Sequence, residues 1–231
     1  MADFTLVIGN KNYSSWSLRG WLMARIAGIE FEELVIPLDL PETQPEIRKH
    51  SPSGRLPVLL HRGLAVWESL AIGEYLNDLK PEAGLWPAAT AARAHARSIS
   101  CEILAGFAEL RANMPMNIRA SYPGKGMTSA VRADIERITS MWRDCRKRFA
   151  GASQKDEGFL FGQISAADAM YAPVVSRFHT YAVKVGAAAR AYMEAVMGLP
   201  AWQEWRAAAL KEPWVLAKDE ADWPVVHRIE A

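Results

Sequence analysis

The sequence predicts two units of different class, a small α+β unit over residues 1–80 and an all-helical unit over residues 91–231, and three observations carry that reading. Short β-rich runs are confined to the first third: Phe4–Ile8, Glu33–Leu38, Val58–His61 and Leu64–Trp67. Residues 81–90, with Pro81, Gly84 and Pro87, then read as a linker. Beyond them the chain turns alanine-rich and keeps helical spacing.

In order, Phe4–Ile8 is a strand and Gly9-Asn-Lys-Asn-Tyr13 a polar loop. Ser14 or Ser15 can cap a helix to Ala27, with Leu18, Trp21 and Leu22 on one stripe and Gly28 as its stop. Glu33–Leu38 follows as a strand, and Pro41–Pro52 reads as a proline-interrupted surface segment. Pro57 interrupts an apolar run and lacks the N–H a sheet needs, which places it at a turn or strand entrance. A cis bond before it would turn the N–H and C=O of Leu56 outward, free to pair with an extended peptide. Arg62-Gly63 closes a hairpin, and Ser69 suits an N-cap for a helix over Leu70–Leu79. The order βαβ then ββα is the thioredoxin-like arrangement.

In the second half, Ala91–Ile118 reads as one long helix bent near Pro115, and Ser129–Phe149 as another. Ser165 and Asp168 form a capping box for a helix to about Val183, with aspartate in place of the usual glutamate. Helices over Ala187–Met197 and Ala201–Lys211 complete an all-α bundle. The tail from Glu212, with Pro213 and Pro224, is expected to pack as extended chain over the helices.

Charge excludes several function classes. The 27 basic and 26 acidic residues are interspersed and leave a net charge of +1, which favours neither nucleic acid nor an anionic membrane as partner. The first apolar run is too short for a signal peptide or a spanning helix, so a cytoplasmic location is expected. Cys101 and Cys145 make neither a disulfide framework nor a C-x-x-C motif, and the five histidines lack ligand spacing, so no metal is expected.

The densest functional signal is Ser51-Pro-Ser-Gly-Arg-Leu-Pro57 followed by Glu68-Ser69. A carboxylate, a hydroxyl and free helix N–H groups converge there beside the Leu56 backbone and suit a ligand carrying an ammonium and a carboxylate at one end. This constellation resembles the glutathione-binding half of the cytosolic glutathione S-transferases, and the resemblance extends over nearly the whole chain. It implies the glutathione S-transferase architecture, glutathione as co-substrate, a small electrophile or peroxide as its partner, a detoxification role and a homodimer.

The resemblance places the thiol-activating hydroxyl at the start of the first helix, with Ser14 as first choice, Ser15 as second and Tyr13 as rival donor. Such a serine donates a hydrogen bond to the glutathione sulfur. Bringing a thiol from about 8.5 to near neutrality takes on the order of 1.5–2 kcal/mol. A hydrogen bond to a charged acceptor supplies roughly 1.5–3 kcal/mol, and a helix N-terminus about 0.3–1. Glu68 would pair with the γ-glutamyl ammonium and Ser69 with its carboxylate, Leu56 beside Pro57 with the cysteinyl unit, and His50 or Arg55 with the glycine carboxylate. Tyr13, Trp16, Phe107, Arg111, Met114, Met116, Arg119 and Tyr122 are candidates for the electrophile pocket, Arg19 for a structural ion pair, and Asp168 for folding. The Ser14-Ser15-x-Ser17 start also resembles the zeta branch, which isomerises cis-alkene acids, although that branch has cysteine where Trp16 stands. A non-catalytic glutathione-fold binding protein is the reading from a different class.

Overall fold

Four strands form one mixed sheet: β1 (Phe4–Ile8), β2 (Glu32–Val35), β3 (Val58–His61) and β4 (Leu64–Trp67), in the spatial order β2-β1-β3-β4. β1 runs parallel to β2 and antiparallel to β3, and β3 pairs antiparallel with β4 across the Arg62-Gly63 turn. The computed structural model describes residues 3–152 and 155–220 and the backbone of 227–228.

Helix α1 (Ser15–Ile26) crosses between β1 and β2. It packs against α3 (Ser69–Leu79) and, on the helical side, against α7 (Ala166–Thr180). Two glycines permit close packing around α1. A Cβ on Gly20 would lie 2.9 Å from Pro57 Cγ, and one on Gly73 would fall on Met23 Sδ. The opposite face of the sheet is covered by α2 (Thr43–His50), whose Ile47 joins Val7, Ile36 and Val58 in a small core.

The helical half comprises α4 (Thr90–Ala105), α5 (Ala108–Asn113), α6 (Ser129–Phe149), α7, α8 (Ala187–Met197) and α9 (Pro200–Lys211). A short β5 (Ala120–Ser121) pairs with β6 (His227–Arg228). One apolar core runs through both halves, from Leu6, Trp21 and Leu76 to Ile99, Trp142, Tyr171 and Trp205. The Ser165–Asp168 capping box opens α7, and the Asp168 carboxylate also accepts from Leu160 N–H at 3.1 Å. The described tail crosses the β1–α1 loop, where the Glu212 carboxylate accepts from the N–H groups of Lys11 (2.7 Å) and Asn12 (3.0 Å).

Three sequence expectations are corrected. Pro41–Pro52 is not merely irregular surface: Thr43 Oγ1 accepts from Leu40 N–H and donates to Pro37 C=O, anchoring α2, and Pro45 is tolerated in its first turn. The expected helix over Ala91–Ile118 breaks at Gly106-Phe107, where Phe107 takes φ 56° and a Cβ on Gly106 would lie 2.8 Å from Glu102 C=O; Pro115 is not the break. Ser69 is the first residue of α3 instead of its cap, a position that Glu68 occupies at φ 68°.

Candidate functional site

An open cleft of about 610 Å³ lies where the α1 N-terminus, the Leu56-Pro57 turn, the start of α3 and the middle of the chain meet. Ser14, Trp16, Arg55, Leu56 and Glu68 all line it. So do Leu38, Gln44, Ile47, Gly54 and Leu104, which the sequence reading did not single out.

Ser14 is the N-cap of α1, with its Oγ accepting from Ser17 N–H at 3.3 Å. Its hydroxyl also meets Ser17 Oγ at 2.8 Å, and Ser17 Oγ accepts from Gly9 N–H at 2.9 Å. Ser15 points elsewhere. It is buried and accepts from Arg177 Nη2 at 3.4 Å, against α7. Successive helical residues lie about 100° apart around the axis, so two adjacent serines face different partners.

The Leu56-Pro57 peptide bond is cis, and neither the N–H nor the C=O of Leu56 has a hydrogen-bond partner among the described residues. Glu68 sits at φ 68° and ψ 128°, a region costly for a side chain with a Cβ, and its exposed carboxylate makes no cap bond to its own helix. The first N–H groups of α3 therefore open beside a carboxylate that is unspent. Ser69 is fully buried, and its hydroxyl lies 3.9 Å from Met170 Sδ, directed away from the cleft. Arg55 stands exposed at the rim, whereas His50 is not part of the lining and lies 3.8 Å from Glu46.

Of the residues expected around an electrophile, Trp16 lines the cleft and Arg111 has its guanidinium 6.0 Å from the Trp16 ring. The others are placed elsewhere. Phe107, Met114, Met116 and Tyr122 are buried in the core. Arg119 donates to the backbone of Glu212 and Trp214 and to Tyr13 Oη, fastening the tail. Tyr13 is 5% exposed, and its hydroxyl is engaged by Glu220 and Arg119. Burial and the Glu220 carboxylate hold that phenol above the usual range, and its proton is directed to Glu220 instead of into the cleft.

Arg19 is also corrected. It has no ion-pair partner among the described residues, but lies fully buried with Nε donating to Met170 C=O at 3.0 Å. Both terminal nitrogens are unpartnered, and the guanidinium lies 4.3 Å from the Trp16 ring. Burial first, then Arg177 and Arg111, draw its pKa down to about 9. The sequence signal for Arg19 and Arg177 was weak: each is one arginine within an apolar helical stripe, where exposure is the usual outcome.

Cys145 is buried and its thiol pushed up to about 12, which removes it as a nucleophile. Among the described residues no cluster of histidine, cysteine and carboxylates could hold a metal, and no helix is long and apolar enough to cross a membrane.

Residues 13–79 match the model for the glutathione S-transferase N-terminal domain, and residues 126–208 the model for its C-terminal domain. The chain belongs to the glutathione S-transferase family. Among curated relatives, a probable maleylacetoacetate isomerase of Caenorhabditis elegans is 30% identical over 96 residues, 42% of this chain and 44% of that protein. Arabidopsis thaliana glutathione S-transferase L1 is 23% identical over 165 residues, 71% of this chain and 62% of that protein. This chain thus spans less than two thirds of both. Among solved structures, a Burkholderia glutathione transferase homolog with bound glutathione superposes at TM-score 0.68 with 23% identity, covering 89% of this chain and 97% of that one. A Tau class enzyme from mango, Mangifera indica, superposes at 0.66 with 17% identity, covering 88% and 92%. These likenesses establish the fold: a four-stranded mixed sheet with helices, followed by a helical domain.

Proposed function

We propose that this transferase binds glutathione in the cleft and activates its thiol as thiolate through the Ser14 hydroxyl, for attack on a small electrophile. The observation that carries the reading is the convergence of Ser14, the unpaired Leu56 backbone and the unspent Glu68 carboxylate on one cleft. Leu56 pairs with the cysteinyl unit, Glu68 takes the γ-glutamyl ammonium, and the α3 N-terminus takes the adjacent carboxylate. With the sulfur at the α1 N-terminus, rotation of the Ser14 hydroxyl turns its proton from Ser17 to the sulfur. Ser17 can then donate its own proton to Ser14, which strengthens the bond to a negative acceptor. The activation needs no ionisable base.

The test is ultraviolet thiolate absorbance of bound glutathione against pH, together with titration calorimetry. A thiol pKa lowered by about 1 unit or more on the protein supports the proposal. Bound glutathione with an unshifted thiol would leave a binding protein of the same fold.

A second reading, glutathione-dependent cis–trans isomerisation, is favoured by the similarity to the Caenorhabditis elegans protein. Against it stands the Trp16 ring, which fills space beside the sulfur position that a cysteine would leave open. Failure to isomerise a cis-alkene dicarboxylate under conditions that support conjugation would dismiss it.

We also propose a homodimer, supported by Leu64 and Trp67, 48% and 41% exposed on the edge strand β4. Light scattering should give twice the 25.7 kDa chain mass, and Trp67→Glu should return the single-chain value.

A further inference from the structure

Three guanidinium groups from three helices lie within electrostatic reach of one another, two of them against the Trp16 ring: Arg19 on α1, Arg111 on α5 and Arg177 on α7. No carboxylate is in ion-pair contact with any of them among the described residues. Arg177 is spent on the protein, with Nε donating to Met114 C=O at 2.8 Å, Nη1 to Pro173 C=O at 3.2 Å and Nη2 to Ser15 Oγ at 3.4 Å. Arg19 is different, since both its Nη atoms are buried without a partner. Arg111 is only half-buried. Its Nη1 donates to the Gly106 and Ile103 carbonyls, while Nε and Nη2 have no partner among the described residues.

A fully buried cation without a counter-charge is costly, and mutual repulsion among three adds to the cost. Such a charge is retained where an anion completes it. The cluster meets the cleft at Trp16, whose ring lies 4.3 Å from the Arg19 guanidinium and 6.0 Å from that of Arg111. The glutathione moiety's own carboxylates are assigned elsewhere, to the α3 N-terminus and Arg55. The unsatisfied positive charge therefore faces the co-substrate side of the sulfur.

We propose that the cleft selects electrophiles carrying a carboxylate, which lies over Trp16 against the free donors of Arg111 in the field of Arg19 and Arg177. The inference rests on the glutathione reading above and names its substrate class. Arg111 makes the contact; Arg19 and Arg177 are positioning residues that act through charge from beneath the ring. An apolar electrophile of the same length gains nothing from this cluster.

The experiment compares two glutathione conjugates matched in length, S-hexylglutathione and S-(5-carboxypentyl)glutathione, by titration calorimetry on the full chain. The carboxylated conjugate is expected to bind about tenfold more tightly. Arg111→Met should bring that ratio to about one, and Arg19→Met should reduce it while the melting temperature holds or rises, because a buried unpaired charge has been removed. A purely structural role for Arg19 would leave the ratio where it was. Equal or weaker binding of the carboxylated conjugate, or a preference that survives Arg111→Met, overturns the inference while leaving glutathione binding intact. If neither conjugate binds, the glutathione reading fails and this one with it.

Discussion

Asp168→Ala is expected to destabilise the protein by about 3–5 kcal/mol, the largest effect of any single truncation considered. The carboxylate is 1% exposed and burial pushes its pKa up to about 6, against the hydrogen bonds that draw it down. Its Oδ2 accepts from Ser165 N–H and Ser165 Oγ–H, both at 2.8 Å, and its Oδ1 from Leu160 N–H at 3.1 Å. Removing it strands three donors where water does not reach. Loss of an ordinary exposed cap costs only about 0.5–2 kcal/mol, so a larger figure measures the burial. Helix α7 is the element against which both α1 and α4 pack, and loss of its start loosens the wall that carries Arg177. Urea unfolding of the two proteins at one pH measures the difference, and a cost under about 1 kcal/mol would mean that water repairs the site.

What the sequence made legible follows from how local each signal is. The hairpin Val58–His61/Leu64–Trp67 and the helices Ser129–Phe149 and Ala187–Met197 stand where the spacing placed them, because turn residues and apolar periodicity act within a few positions. α2 was hidden because Thr43 and Ile47 alone are buried in it, too few for a period, and its anchor is a side-chain bond to Pro37. The break at Gly106 was hidden for a different reason. A glycine in an alanine-rich run is tolerated, and only the packing of α5 against α6 demands the turn. Ser14, Trp16, Leu56 and Glu68 could be grouped because each sits at a marked helix start or proline turn. Arg19 and Arg177 could not, since the contact that brings a buried arginine to an interface between two halves leaves no local pattern. Nor could spacing separate Ser14, which lines the cleft, from Ser15, which meets Arg177 far along the chain.

That separation makes Ser14→Ala the decisive functional substitution. The bound glutathione thiol is expected to return toward about 8.5, and kcat/KM for a conjugation reaction to fall roughly 10- to 150-fold, the equivalent of a charged hydrogen bond worth about 1.5–3 kcal/mol. The same change removes the α1 cap, at a cost of about 0.5–2 kcal/mol in stability, so lost rate alone would be ambiguous. The thiol pKa is not. A cap acts on folding, whereas only a donor aimed at the sulfur shifts the proton equilibrium of the ligand. Ser14→Thr keeps the hydroxyl and should hold the lowered pKa. Ser15→Ala should leave the thiol titration as in the wild type while depriving Arg177 of an acceptor, and so show its effect in the melting temperature. Ser17→Ala should give an intermediate thiol pKa, because Ser14 then lacks the partner 2.8 Å away that takes over as donor when its own proton turns to sulfur. A thiol pKa that answers to Ser15 and ignores Ser14 would move the activating hydroxyl to the interface side of the helix, and the path of the glutathione chain through the cleft would have to be redrawn with it.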